Sequence, residues 1–147
     1  MSPTPRAHSP LYLYMTHSHD HLRTLLARLL AAMEAGARAD VLGLWTQLDH
    51  DLLSHMEAEE RFILPAFAHV DMTEARDLVR EHGLIREELL ELGVAVELHC
   101  VRCESGDAFA DLLVRHAARE EQLMYRWADQ RLSPQAALDV TKHLSVP

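Results

Sequence analysis

The sequence predicts an all-α protein, an up-down-up-down four-helix bundle with a short C-terminal fifth helix. Three observations carry that expectation. Glycine is scarce, five in 147 residues, while Leu, Ala, Glu and Arg are abundant, a composition that favours helices over sheets. Apolar residues recur at steps of three and four through four long segments. The connections between those segments are short, as between antiparallel neighbours in a bundle.

The elements follow in order. Residues 1–10, MSPTPRAHSP with three prolines, read as a flexible tail, and residues 11–147 as one domain able to bury a substantial core. The first helical pattern runs from Leu11 to about Ala35 and stops at Gly36. Asp40 is placed to cap a second helix to about Ala68, with Pro65 kinking or ending its last turn. Thr73 is placed to cap a third, to about His99, with Glu74 suited to the positive end of its dipole. Residues 100–106 form a connection, Asp107 caps a fourth helix to about Gln130, and Ser133-Pro134 opens the fifth, to about Leu144.

Composition narrows the function classes. Hydrophobic content of 48% and charged content of 25% belong to a globular protein, and a net charge of −9 argues against nucleic acid or an anionic membrane as partner. No apolar run is long enough to span a bilayer, and the N-terminus lacks the apolar stretch of a signal peptide, so a cytoplasmic protein is expected. Two cysteines are too few for a disulfide scaffold.

A set of metal-ligand side chains occurs twice, at an offset of 61 residues. His21, then His55 with Glu59, is followed by His82, then His116 with Glu120. The interval from the lone histidine to the His-x-x-x-Glu pair is 34 residues both times, and Asp20-His21 and Glu59-Glu60 align with Glu81-His82 and Glu120-Glu121. The i, i+4 spacing puts His and Glu on one helix face. Each candidate falls on an apolar stripe: Leu48, Leu52, His55, Glu59 and Phe62; Leu78, His82, Ile85 and Leu89; Leu112, Leu113, His116, Glu120 and Leu123. In the first helix Tyr14, His21, Leu25 and Ala32 share a face with His17.

Burying two carboxylates and four imidazoles without partners would cost several kcal/mol or shift their protonation. Two divalent cations resolve this, and the donor set suits iron, manganese or zinc better than magnesium or calcium. Glu60 and Glu121, rotated away from the histidines, are expected behind the ligands or in solvent. The bland alternative is a bundle whose buried His and Glu residues only hydrogen-bond one another.

Taken together, Asp20-His21 before a leucine-rich helix, His55-Met56-Glu57-Ala58-Glu59-Glu60 leading to Leu64-Pro65, Glu81-His82, and His116-Ala117-Ala118-Arg119-Glu120-Glu121 resemble the hemerythrin-like HHE domain over nearly the whole chain. The resemblance implies a four-helix bundle holding two iron ions, oxo- or hydroxo-bridged, with Glu59 and Glu120 as bridges and His21, His55, His82 and His116 as terminal ligands. It implies a small gaseous or peroxide ligand, in sensing, stress defence or iron handling. The sequence departs from the oxygen carriers of that family: Arg86 stands where they have a second histidine four residues after the first, and the fourth-helix acid is a glutamate. Simple oxygen carriage is therefore not implied. A metal-stabilised interaction module, holding zinc or iron without chemistry of its own, is the other reading.

Three features carry less weight. His17 is the candidate fifth histidine ligand, against a surface histidine at the helix start, and the six-residue set is favoured. Tyr14 is read as a buried aromatic rather than a partner of a bound ligand. Cys100 and Cys103 lie about 25 Å along the third helix from His82, outside the metal shell, as inert thiols, a redox pair or an intermolecular contact.

Overall fold

The computed structural model describes residues 10–98 and 103–145 and is all-helical, with no strand among them. Among the described residues seven helices follow one another: α1 Pro10–Ala35, α2 Arg38–Phe62, α3 Leu64–Phe67, α4 Met72–Glu97, α5 Cys103–Gln122, α6 Met124–Arg131 and α7 Pro134–Leu144. None is long and apolar enough to cross a membrane. Most of the expected tail and Cys100 lie outside the described residues.

The helix ends have local causes. Gly36 sits at φ 69°, a left-handed conformation that a side chain disfavours. Its N–H returns to Met33 at 3.1 Å and that of Ala37 to Ala32 at 3.0 Å, closing α1 with a Schellman pair. The chain turns at once into α2, so Asp40 falls in the first turn, where it complements the helix dipole instead of capping. For α4 the cap is Asp71, not Thr73: its carboxylate accepts from the Glu74 N–H at 3.0 Å. Ser133 caps α7 as expected, accepting from Ala136 N–H at 3.2 Å.

Two expected helices are each broken. The second stops at Phe62 and resumes as α3, with Ile63 at φ −111°, ψ −55°. Pro65 explains this, since it has no N–H for the Arg61 carbonyl and its ring crowds that oxygen. The fourth begins earlier than expected, at Cys103, and breaks at Leu123, which has nearly the same dihedrals, φ −119° and ψ −67°. Nothing in the local sequence explains the second break.

The long helices pack in a ring: α1 and α4 each lie against both α2 and α5, and α6 and α7 fold over one end. Gly93 permits close approach of α2 and α4, because a Cβ there would stand 2.3 Å from the Trp45 ring. The core has two parts. Leu22, Leu25, Leu29, Leu48, Leu52, Ile85, Leu89 and Phe109 fill one. Met15, Ala58, Ile63, Phe67, Leu78, Met124 and Val140 fill the other. Between them lies a layer of buried polar side chains.

Candidate metal centre

Six buried polar residues make that layer: His19 from α1, His55 and Glu59 from α2, His82 from α4, and His116 and Glu120 from α5. They sit at core positions of their helices, as the flanking apolar residues show: Met15 and Leu22 about His19, Leu52 and Met56 about His55, Leu78 and Ile85 about His82. Potential ligand atoms of His19, His55 and Glu120 lie within 4.8 Å of one another, as do those of His82, His116 and Glu120.

All four imidazoles are oriented alike. Each Nδ1 turns outward to a polar partner: His19 to Glu121 Oε1 at 2.9 Å, His55 to Ser18 Oγ at 2.8 Å, His82 to Glu60 Oε1 at 2.8 Å and His116 to Glu81 Oε1 at 2.8 Å. Three of these partners are carboxylates, which only accept when ionised, so the hydrogen belongs on Nδ1. In the neutral rings that leaves the Nε2 lone pair facing inward, the tautomer and orientation of a metal-bound histidine. Two arginines support the outer carboxylates. Arg86 holds Glu60 through both terminal nitrogens, and Arg119 links Glu81 to Glu74 and Asp77.

With the imidazoles neutral, the centre is rich in acceptors and poor in donors. Four Nε2 atoms and two carboxylates meet there, and the hydroxyl of Tyr125 is a fixed donor, 3.1 Å from Glu59 Oε2. Glu59 Oε1 lies 3.0 Å from His55 Nε2, and Glu120 Oε2 lies 3.2 Å from His116 Nε2. Glu59 Oε1 and His116 Nε2 nevertheless have no hydrogen-bond partner. Two buried, unpartnered heteroatoms pointing into one centre fit a cation, and the imidazole and carboxylate donors suit a transition metal.

The protonation pattern reports the same surplus. Burial and then the neighbouring Glu120 push the Glu59 carboxyl well above the usual range. Burial opposes ionisation of Glu120 too, but His116 and the surrounding hydrogen bonds outweigh it and hold Glu120 ionised. Burial works against a charged His82, yet hydrogen bonds to Glu120 and Glu60 raise it to about 9. His19 is raised likewise, burial being outweighed by Glu120 and Glu121, while burial and then His19 push His55 well down. Without metal, protons take the place of cations.

One expected residue is elsewhere. His21 does not join the cluster: its side chain is 55% exposed and its Nε2 meets Asp51 Oδ2 at 2.7 Å, while His19, two residues earlier, is 4% exposed and lies at the centre. The reason is helix phase. The buried stripe of α1 is Leu11, Met15, His19, Leu22, Leu25, Leu26 and Leu29, and residue 21 is about 200° around the helix from residue 19. His17 is exposed and Tyr14 only half-buried, so neither is in the centre. The other five expected residues do converge. Tyr125 was missed, although its place five residues after Glu120 and one turn before Ala128 on the buried side of α6 was a readable signal.

The family model of the hemerythrin HHE cation binding domain matches residues 11–128. The chain belongs to this hemerythrin family. Comparison with curated proteins and with solved structures gave no match. The match spans all four helices that carry the polar layer, so the cation-binding description and the donor-poor centre refer to the same part of the chain.

In this hemerythrin-family protein a cavity of about 230 Å³ reaches the layer between α1 and α5. His19, His55, His116 and Glu120 face it, and Leu22, Leu26, Leu52, Leu113, Ala110 and Ala117 line much of the rest. Apart from Arg23 the approach is carbon-lined, which suits small uncharged molecules.

Proposed function

We propose that this protein is a cytoplasmic non-haem di-iron protein, an up-down-up-down bundle whose centre binds or reacts with a small oxidant: dioxygen, peroxide or nitric oxide. One observation carries the reading. Four inward imidazole nitrogens and two carboxylates surround a centre with too few hydrogens to satisfy them. His19 and His55 would hold one iron and His82 and His116 the other, with Glu59 and Glu120 between them. The irons would supply redox chemistry and open coordination positions.

The chain's own residues do the remaining work. Glu121, Ser18, Glu60 and Glu81 fix the imidazole orientations. The apolar layers on either side limit water, and the leucine-lined cavity gives a diatomic or peroxide a route of entry. Sensing, stress defence or iron handling would each be served by such a centre.

The test is reconstitution with ferrous iron without oxygen, followed by metal analysis and exposure to each oxidant. Two irons per chain and ferric absorption bands that bleach on reduction are expected. Well below one metal per chain would overturn the proposal, and a colourless, redox-silent protein that retains only zinc would establish a metal-stabilised module instead.

A further inference from the structure

We propose that the hydroxyl oxygen of Tyr125 is a donor to the metal held by His19 and His55, which makes the two metal positions chemically unequal. This rests on the metal-binding reading above and adds a residue to it. The Tyr125 ring is 1% exposed and stacks on His19, with centroids 5.2 Å apart and planes 25° apart. Its oxygen lies 3.0 Å from His19 Nε2, 3.2 Å from His55 Nε2 and 3.1 Å from Glu59 Oε2.

A hydroxyl has one hydrogen to give. Here three atoms surround it, and in the metal-ready tautomer all three are acceptors. One can take the hydrogen, leaving two close lone-pair contacts that are unfavourable unless a cation lies among them. With the imidazoles neutral and Glu59 ionised, as metal ligands are, the four atoms are grouped as donors about one point.

Among the described residues the opposite half has no counterpart. There the Nε2 of His82 faces Glu120 Oε2 at 3.3 Å and Glu59 Oε1 at 3.7 Å, and that of His116 faces Glu120 Oε2 at 3.2 Å. The residue 61 positions before Tyr125, its equivalent in the repeat, is Leu64, which has no donor atom. The metal at His19 and His55 therefore gains an oxygen ligand, and the one at His82 and His116 keeps the vacancy for a small molecule. Ligation breaks the phenol O–H bond and forms an oxygen–metal bond; the proton passes to solvent, and no electron is transferred.

The experiment uses the full chain, loaded with ferrous iron, oxidised, and made with ring-deuterated tyrosine. A ferric phenolate absorbs in the visible, and resonance Raman excited in that band shows phenolate ring modes that shift with the label. We expect those modes in the unmodified chain and their complete loss in Tyr125→Phe, with both irons retained. Tyr12→Phe and Tyr14→Phe should keep them. Iron present without phenolate modes, or modes surviving in Tyr125→Phe, overturns the proposal alone. Iron below one per chain overturns the metal-binding reading and this proposal with it. The isotope shift shows a phenolate ligand without any variant, and its survival in Tyr12→Phe and Tyr14→Phe assigns it to Tyr125 even if Tyr125→Phe does not fold.

Discussion

Arg86 grips Glu60 through two parallel hydrogen bonds, Nη1 to Oε1 at 2.8 Å and Nη2 to Oε2 at 2.9 Å. The same Oε1 meets Nδ1 of His82 at 2.8 Å. The arginine that stands where a further histidine would continue the third-helix pattern thus fixes the carboxylate that orients the first. Burial would raise Glu60, but His82 and Arg86 outweigh it and bring it to about 2, so it is ionised at neutral pH and accepts from both.

Loss of this support should loosen the centre without abolishing it. Arg86→Ala and Glu60→Gln are each expected to weaken iron affinity about 10–100-fold, the usual range for residues behind a metal ligand. His82→Ala should lose metal outright. Competition against a chelator of known affinity distinguishes these outcomes, and equal affinity in Glu60→Gln and the unmodified chain would mean that the His82–Glu60 contact does not serve binding.

His19 and His21 give opposite predictions from neighbouring positions. His19→Ala should cost the chain metal, whereas His21→Ala should retain it and change stability by less than about 1 kcal/mol, because its contact with Asp51 is exposed. Metal content and thermal unfolding of both variants check this. Metal loss in His21→Ala alone would reverse the assignment.

Metal binding near pH 7 should release protons. The sign follows from His82, which at about 9 holds its proton at pH 7 in the metal-free protein, and from Glu59, whose carboxyl burial and Glu120 push well above the usual range, toward the protonated form. A metal needs their lone pairs, so apparent affinity should rise with pH toward about 9 and fall in acid. Calorimetric titration in buffers of different ionisation enthalpy counts the protons, and net uptake would contradict the arrangement.

Narrowing the cavity should slow the oxidant without removing the metal. Ala110→Leu adds bulk to the lining away from the ligands, so the rate at which a ferrous sample oxidises in air should fall while iron content stays constant. An unchanged rate would mean that the oxidant enters elsewhere.

Close packing gives a control that does not involve metal. Gly93→Val would drive a side chain into the Trp45 ring and should cost about 1–3 kcal/mol, as overpacking usually does. Denaturant unfolding of the metal-free chain measures it, and an unchanged midpoint would show that Trp45 can move aside.

The sequence by itself determined the all-helical class, the stop at Gly36, the Ser133 cap and the apolar stripes that carry His55, Glu59, His82, His116 and Glu120 inward. These are local properties, set by 3.6-residue periodicity and by the conformational limits of single residues. The packed structure showed which α1 histidine joined them, although the stripe of Leu11, Met15, Leu22, Leu26 and Leu29 already carries the phase of His19. An equal spacing of 34 residues pointed to His21, but spacing along the chain crosses the connection between two helices, and connections need not match. His19 to His55 is 36 residues and His82 to His116 is 34. What must match is height along the bundle and phase about each helix; the apolar stripe gives the phase, and only the packed helices fix the height. The same holds for Tyr125, which comes after the break at Leu123: a continuous helix through that point would have carried a different phase, and its hydroxyl meets His19, His55 and Glu59 only because three helices converge there.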